Sequence, residues 1–541
     1  MKPNSIHSLW LLLLFGITVI VALPTLSVWA AWWRWDGAQQ SLMQHLWATV
    51  MPSYTWTSLA LCFGVAVGVA GLGLMSAVLV TLFDFPGRGT LAWLLLLPMA
   101  MPAYVVAYAY TDFFQYSGPV QSVLREWTGI EGAVLPEIRS LGGAVLVFSV
   151  TLYPYAYLLV RTALLDRASS ALEAAKLLGA SMWRRIWTIA IPMARPALAA
   201  GLALALMETL ADFGVASYFG VQSFTAGIYK AWLVMDDPVA AAQLATLLLL
   251  CVLILLVWDH RSQQRLRYTS SRGNRSSQES QPRAVTGLAG WGLLFAGSVP
   301  VLLGFVLPSA VLIHLWHAAA EPTPWSNYAL WAWNTLELGL ITAVLAVVLS
   351  MAFLATQRLR QHALISGLSR VISIGYAIPG AVVVIGILAP LRWFQSLDWV
   401  GDMSYWITST SLGLIWAYLI RFCAVAMQSL QSGYSRLPLS MDEASRTLGV
   451  SDARLFGGVH LPLLRRSVWV AGLLVLVDVM KELPATLVLR PFDTDTLAVV
   501  AYQLARDERL GEAALPSLTL VLIGLLPVIW VSRSLKSSPQ S

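Results

Sequence analysis

The sequence predicts an all-α integral membrane protein with about twelve transmembrane helices arranged as two parallel six-helix repeats. Three observations predict it. The chain is 58% apolar and 11% charged over 541 residues, outside the composition of ordinary water-soluble domains. Twelve stretches reach or approach the roughly 20 apolar residues needed to cross about 30 Å of hydrocarbon. Residues in the first half also recur in the second: Trp56 and Ser58-Leu59 correspond to Trp333 and Thr335-Leu336, and Pro102 to Pro379, all at an offset of 277, while Glu173, Gly179 and Pro192 correspond to Glu443, Gly449 and Pro462 at an offset of 270.

In order, the expected spans lie near Leu9–Ala31, Trp56–Phe83, Leu91–Thr111, Leu141–Val160, Ala197–Val215 and Ala240–Trp258. The second set lies near Leu288–His314, Thr335–Thr356, Val371–Leu391, Thr408–Leu430, Val468–Leu489 and Leu515–Val531. The apolar part of the first stretch exceeds the 7–15 residues of a secretory-signal core, so it reads as a retained span despite the small residues Val28, Ala30 and Ala31 near its end. The domain organisation is therefore a first half, 1–258, and a second half, 287–541. The segment 259–286 between them, rich in Ser, Arg and Gln, reads as a flexible basic cytoplasmic tether. Its arginines would also suit an anionic lipid surface.

Charge sets the orientation. With both termini inside, 24 of the 34 Lys and Arg residues fall on the cytoplasmic side and 8 outside, Arg421 and Lys481 lying within spans. Such an excess marks the cytoplasmic loops. An even number of spans per copy gives the two copies the same orientation, related by an axis along the membrane normal. The net charge of +6 is spread over short loops, so it encodes topology and gives no reason to expect nucleic acid. Cys62, Cys251 and Cys423 each sit inside an expected span, so no disulfide framework is expected.

The loops before the fifth and eleventh spans are the most informative. The first reads Ser170-Ala-Leu-Glu173-Ala174-Ala175-Lys-Leu-Leu-Gly179-Ala180, then Ile191-Pro192. The second reads Ser440-Met-Asp-Glu443-Ala444-Ser445-Arg-Thr-Leu-Gly449-Val450, then Leu461-Pro462. A Ser three residues before a Glu is the spacing of a capping box, and Gly suits a left-handed helix end. Ser181 and Ser451 are placed to cap a second short helix, and Pro192 and Pro462 to punctuate its exit. Each loop is thus an elbow, a helix–turn–helix. Its small residues Ala174, Ala175, Ala444 and Ser445 would let a helix sink into a partner's groove, with Arg184, Arg185, Arg454, Arg465 and Arg466 beside it. One such loop could be an ordinary amphipathic connection; two with identical spacing argue for a shared role.

On these residues the chain resembles the permeases of binding-protein-dependent ABC importers, whose Glu-Ala-Ala…Gly…Ile-x-Pro loop is the family signature. The resemblance implies the type I importer permease fold in a bacterial inner membrane. It also implies that Glu173, Ala174, Ala175, Gly179 and Pro192, with Glu443, Ala444, Ser445, Gly449 and Pro462, form coupling helices for a nucleotide-binding subunit. The second copy departs at Ser445 and Leu461. The chain contains no Gly-x-x-x-x-Gly-Lys-Ser/Thr phosphate cradle. No catalytic residue or cofactor is expected in it; ATP and Mg would belong to two copies of a separate ATPase. Short outer loops leave no room for a capture domain, so an extracytoplasmic solute-binding protein is a further expected partner, alongside membrane lipid.

Past each elbow come Glu208, Asp212-Phe-Gly214 and, in the second copy, Asp478, Lys481-Glu482-Leu-Pro-Ala-Thr486. Glu208 aligns with Asp478 and Asp212 with Glu482 at the 270 offset. These stretches look like those of ferric-iron importer permeases, which makes ferric iron the expected substrate; thiamine and phosphonate permeases share the layout. Glu208, Asp212, Asp478, Lys481 and Glu482 are candidates for the translocation path or its gate, because intramembrane charge needs a partner or an aqueous route. The competing reading is a structural network that fixes helix ends. His314 and His317 have metal-ligand spacing but no third ligand nearby, and no metal site is expected. A major-facilitator transporter would share twelve spans in two parallel halves, but paired elbows are not its hallmark. No constellation of a membrane enzyme is present.

Overall fold

A computed structural model of the chain describes residues 3–33, 47–165, 169–270, 282–319, 321, 324–360, 363–393 and 398–536. Among these, nine helices are long and apolar enough to cross a bilayer, and two further candidates are helix pairs sharply bent at a short break. The stretch expected as the eleventh span is a helix too, Leu461–Met480, entered past the exposed Arg465 and Arg466.

The bent pairs correct the expectation of continuous third and ninth spans. Arg88–Ala100 turns by 92° into Ala103–Thr128, and Leu364–Ala377 by 110° into Gly380–Trp393. The breaks fall at Pro102 and Pro379, which correspond in the repeat. Proline offers no N–H to the preceding turn and pushes the residue before it out of helical geometry; Met101 and Ile378 are both extended. Each proline then starts the next helix, its carbonyl accepting from the amides three and four residues on. A break at membrane depth exposes carbonyls that must find protein donors. Tyr157 donates to the Ala92 carbonyl at 2.7 Å and Tyr153 to that of Leu95 at 2.9 Å.

The chain packs as two compact units, and each takes segments from both sequence halves. The expected halves 1–258 and 287–541 are repeats in sequence; packing redistributes their helices. One unit comprises Leu46–Ala226, Leu250–Pro322 and Ala501–Ser541. It contains α1 (Met51–Leu82), α2 (Leu141–Ala163), α3 (Ser169–Leu177), α4 (Met182–Arg185), α5 (Ile191–Ala211) and α6 (Gly214–Tyr218). Small residues let its helices approach closely: a Cβ on Gly201 would lie 2.6 Å from the Ala156 backbone. The helix opening the second sequence half joins this unit, where Tyr110 donates to the Leu303 carbonyl at 2.8 Å.

The other unit comprises Met1–His45, Gly227–Leu249 and Thr323–Val500. It contains α7 (Trp325–Arg360), α8 (Leu412–Tyr434), α9 (Leu439–Thr447), α10 (Asp452–Leu455), α11 (Leu461–Met480) and α12 (Pro484–Leu489). The N-terminal helix Pro3–Ser27 lies in it against Gly380–Trp393: Ser27 donates to the Gly386 carbonyl at 2.6 Å, and a Cβ on Gly386 would sit 2.0 Å from the Pro24 oxygen.

Of the expected tether, residues 259–270 continue the helix Pro238–Ser270, and residues 271–281 lie outside the described set. Its end forms a short strand, β2 (Arg283–Ala284), paired in parallel with β1 (Phe83–Asp84). The three cysteines are unbridged.

Candidate functional site

The two elbows fold alike, residue for residue. α3 ends in a Schellman turn: Gly179 has φ +78°, its amide donates to Lys176, and the Ala180 amide reaches back to the Ala175 carbonyl at 2.9 Å. α9 ends the same way, with Gly449 at φ +73° and the Val450 amide on the Ser445 carbonyl at 3.0 Å. Positive φ strains any residue with a Cβ, which is why glycine stands at both positions. A Cβ added at either would meet nothing within 4 Å, so the requirement is one of backbone geometry.

α4 and α10 follow at once. Ser181 caps α4, its hydroxyl accepting the Arg184 amide, whereas Ser451 holds the cap position of α10 with no side-chain bond. The expected punctuation by Pro192 and Pro462 takes a different form. Each proline lies in the first turn of the next helix, just past a single widened turn, Ile186–Ala190 or Phe456–His460. There the amides of Ile191 and Leu461 bond five residues back, to Ile186 and Phe456. A wide turn accommodates a residue that has no N–H to give, so elbow and span are continuous helix. The expected capping box is also revised: α9 starts at Leu439 behind Pro438 without a side-chain cap, and Ser440 lies inside its first turn. The Ser170 side chain lies outside the described residues.

Much of the elbow surface is open. Ala174, Glu443 and Ala444 are exposed, Glu173, Ala175 and Ser445 half-buried, and Arg184, Arg454, Arg465 and Arg466 exposed. At the tips, Leu177, Leu178 and Leu448 are 89%, 87% and 81% exposed. The sequence reading did not single out these leucines; three large apolar side chains beside a turn glycine were the available signal.

The candidate pathway residues divide in two. Asp212 and Glu482 are helix-end devices. α5 stops at Ala211, and the Asp212 carboxylate accepts the Val215 amide at 2.8 Å, starting α6. Glu482 accepts the amides of Ala485 and Thr486 at 2.9 and 3.0 Å, starting α12, and takes a 2.8 Å ion pair from Arg421 of α8. That pair is buried, and a Cβ on Gly380 would crowd it at 3.0 Å from Glu482 and 3.3 Å from Arg421. These contacts favour the structural reading of the two carboxylates; the role of Arg421 was missed. Glu208 and Asp478 sit half-buried near the ends of α5 and α11, and Lys481 is half-buried just past α11. His314 and His317 are exposed on Leu307–Ala318, and among the described residues no three His, Cys, Asp or Glu side chains gather as metal ligands.

Spans broken at corresponding prolines and duplicated elbows fit a membrane permease. The sequence profile of the binding-protein-dependent transport system inner membrane component matches residues 69–268 and again 346–536, well over half of the chain, and the protein belongs to that family. Among its relatives, the Fe(3+)-transport system permease protein FbpB 2 of Haemophilus influenzae is 24% identical over 478 residues, 87% of each chain. The molybdenum transport system permease protein ModB of Escherichia coli is 32% identical over 173 residues, 32% of this chain and 71% of its own. The sulfate transport system permease protein CysW of Escherichia coli is 31% identical over 180 residues, 33% of this chain and 57% of its own.

Proposed function

We propose that the chain is the translocating subunit of an ATP-driven importer and that it moves ferric iron, delivered by an extracytoplasmic binding protein, into the cytoplasm. One observation carries the ATP-driven part: two elbows with the same Schellman turn, each presenting small residues and bare leucines to a partner. A separate ATPase docks on each, through Glu173, Ala174, Ala175 and Gly179 on α3 and Glu443, Ala444, Ser445 and Gly449 on α9. The elbows and both termini then face the cytoplasm, a reading that the Lys and Arg distribution supports. ATP and Mg reside on the ATPase subunits, and their closure is passed through the elbows into α5 and α11, which are continuous with them past Pro192 and Pro462. A ligand shifts such an equilibrium only by its differential affinity for the two states, so ATP binding must favour one arrangement of the elbows.

The ferric assignment is supported by the length of the match to the Fe(3+) permease, which runs through both repeats. The molybdenum and sulfate permeases match a third of the chain at higher identity, which supports an oxyanion as the second reading. Uptake of labelled iron, molybdate and sulfate, compared between a strain lacking the chain and its parent, separates them. Loss of iron uptake alone is expected; iron uptake equal to the parent's removes the ferric assignment.

A further inference from the structure

Asp442 immediately precedes Glu443 on α9, and unlike its neighbour it is buried. Both its oxygens are engaged. Oδ2 accepts from Arg358 Nε at 2.6 Å, and Oδ1 lies 3.0 Å from His460 Nε2. A carboxylate only accepts, so that nitrogen carries the proton. Arg358, near the end of α7, also donates to the carbonyls of Tyr434, Leu437 and Pro438 at 3.3, 2.9 and 3.1 Å. The Tyr434 ring stands edge-on to the His460 ring, centroids 5.6 Å apart. The carboxylate therefore ties the second elbow to the end of α7 and to the widened turn leading into α11, and through Arg358 to the end of α8. In the first copy the repeat offsets place Leu172, Ala190 and Thr81 at the positions of Asp442, His460 and Arg358. Leu172 and Ala190 are buried there in an apolar cluster.

A buried ion pair seldom adds net stability over apolar packing of similar volume, but removing one partner strands the other. What it adds is direction: two hydrogen bonds fix the orientation of α9 where dispersion contacts would let it slide. We propose that Asp442 is a positioning residue, the polar joint through which displacement of the second elbow by its ATPase is transmitted to α7, α8 and α11. The proposal rests on the reading of α9 as an ATPase-docking helix.

The test uses the complex of the chain with its co-purifying ATPase, reconstituted in proteoliposomes with the binding protein that stimulates it. Three variants are compared with the parent: Asp442→Asn, Asp442→Leu, and the triple Arg358→Thr/Asp442→Leu/His460→Ala, which installs the first-copy residues. The single variants should retain the ATPase and its KM for ATP while binding-protein-stimulated kcat falls about tenfold, because the stranded Arg358 and His460 must find other partners. The triple variant, in which no charged group is left stranded and only the carbonyls served by Arg358 lose a donor, should recover to within about threefold of the parent. Unchanged stimulated kcat in both single variants overturns the joint, as does a triple variant that binds the ATPase yet stays as slow as Asp442→Leu. If the parent chain retains no ATPase at all, the docking reading itself fails, a result separate from either.

Discussion

The two elbows share a backbone and differ in what holds them. α3 is held by Leu172, packed with Leu164, Ile186 and Ala190 in the apolar cluster of its unit. α9 is held by Asp442 between Arg358 and His460. Burying a leucine side chain contributes about 1.5–3 kcal/mol without directional preference, whereas the carboxylate is directional and intolerant of losing a partner. The contrast teaches that the elbow is specified by its turn residues, Gly179 and Gly449, Pro192 and Pro462. The fastening beneath it is free to be greasy or charged.

The largest expected effect breaks the apolar fastening. Leu172→Asp would place a carboxylate where the sequence offers no arginine or imidazole, with Thr81 and Ala190 at the partner positions. It should destabilise the protein by about 3–5 kcal/mol, read as a drop in thermal midpoint and in extractable yield. A variant as stable as the parent would mean that α3 is not held by the cluster. Next in size, Gly179→Val and Gly449→Val should each cost about 1–2 kcal/mol from the left-handed backbone and weaken ATPase co-purification. Because a Cβ meets nothing at either position, the two penalties should be equal, and Asn should be milder than Val. Unequal penalties would show that the turns are not equivalent.

The equivalence of the turns was legible in the sequence because it depends on local rules: glycine at a helix end, proline in a first turn, a fixed Glu-to-Gly spacing. The spans were legible for the same reason, through uninterrupted apolar length. The breaks at Pro102 and Pro379 were visible as corresponding prolines but not as sharp turns; at the first, the tyrosines that satisfy the Ala92 and Leu95 carbonyls lie about sixty residues away in the chain. Arg421 with Glu482, and Arg358 with Asp442, are likewise long-range pairs that spacing on one helix cannot reveal. One signal was available: at the 270 offset Asp442 falls on Leu172, and a charge replacing a buried leucine requires partners. The interleaving of segments from both halves in each unit carried no local signal at all.

Acid sharpens the comparison further. Burial pushes the Asp442 carboxyl up, but the hydrogen bonds from Arg358 and His460 and their charges outweigh it, leaving it below the usual carboxylate range. A carboxyl more acidic in the folded state stabilises the fold fully above its unfolded value of about 4, and that contribution is lost as pH falls through the folded value. The gap in thermal midpoint between the parent and Asp442→Asn should therefore be open at about pH 5 and close below about pH 4. The gap for Leu172→Ala should not change with pH in this way. A gap for Asp442→Asn that persists undiminished at low pH would remove the charge from the explanation.

The smallest effect lies at the caps, where the elbows differ again. Ser181 accepts the Arg184 amide at 3.4 Å, a long bond, while Ser451 makes none. Ser181→Ala should cost about 0.5 kcal/mol, the low end of the range for a lost helix cap, and Ser451→Ala close to nothing. Helix starts leave amides without intrahelical partners, and α10 has a second resource in Asp452 in its first turn, whose charge suits a helix N-terminus. α4 begins instead with Met182 and Trp183 and ends on Arg184 and Arg185, so Ser181 is its N-terminal support. Comparing Ser181→Ala with Ser451→Ala in a background carrying Asp452→Asn decides between these accounts. If the acidic residue substitutes for the cap, losing both at α10 should match the loss of Ser181 at α4; if it leaves α10 unaffected, the short helix is held by its continuity with α11 alone.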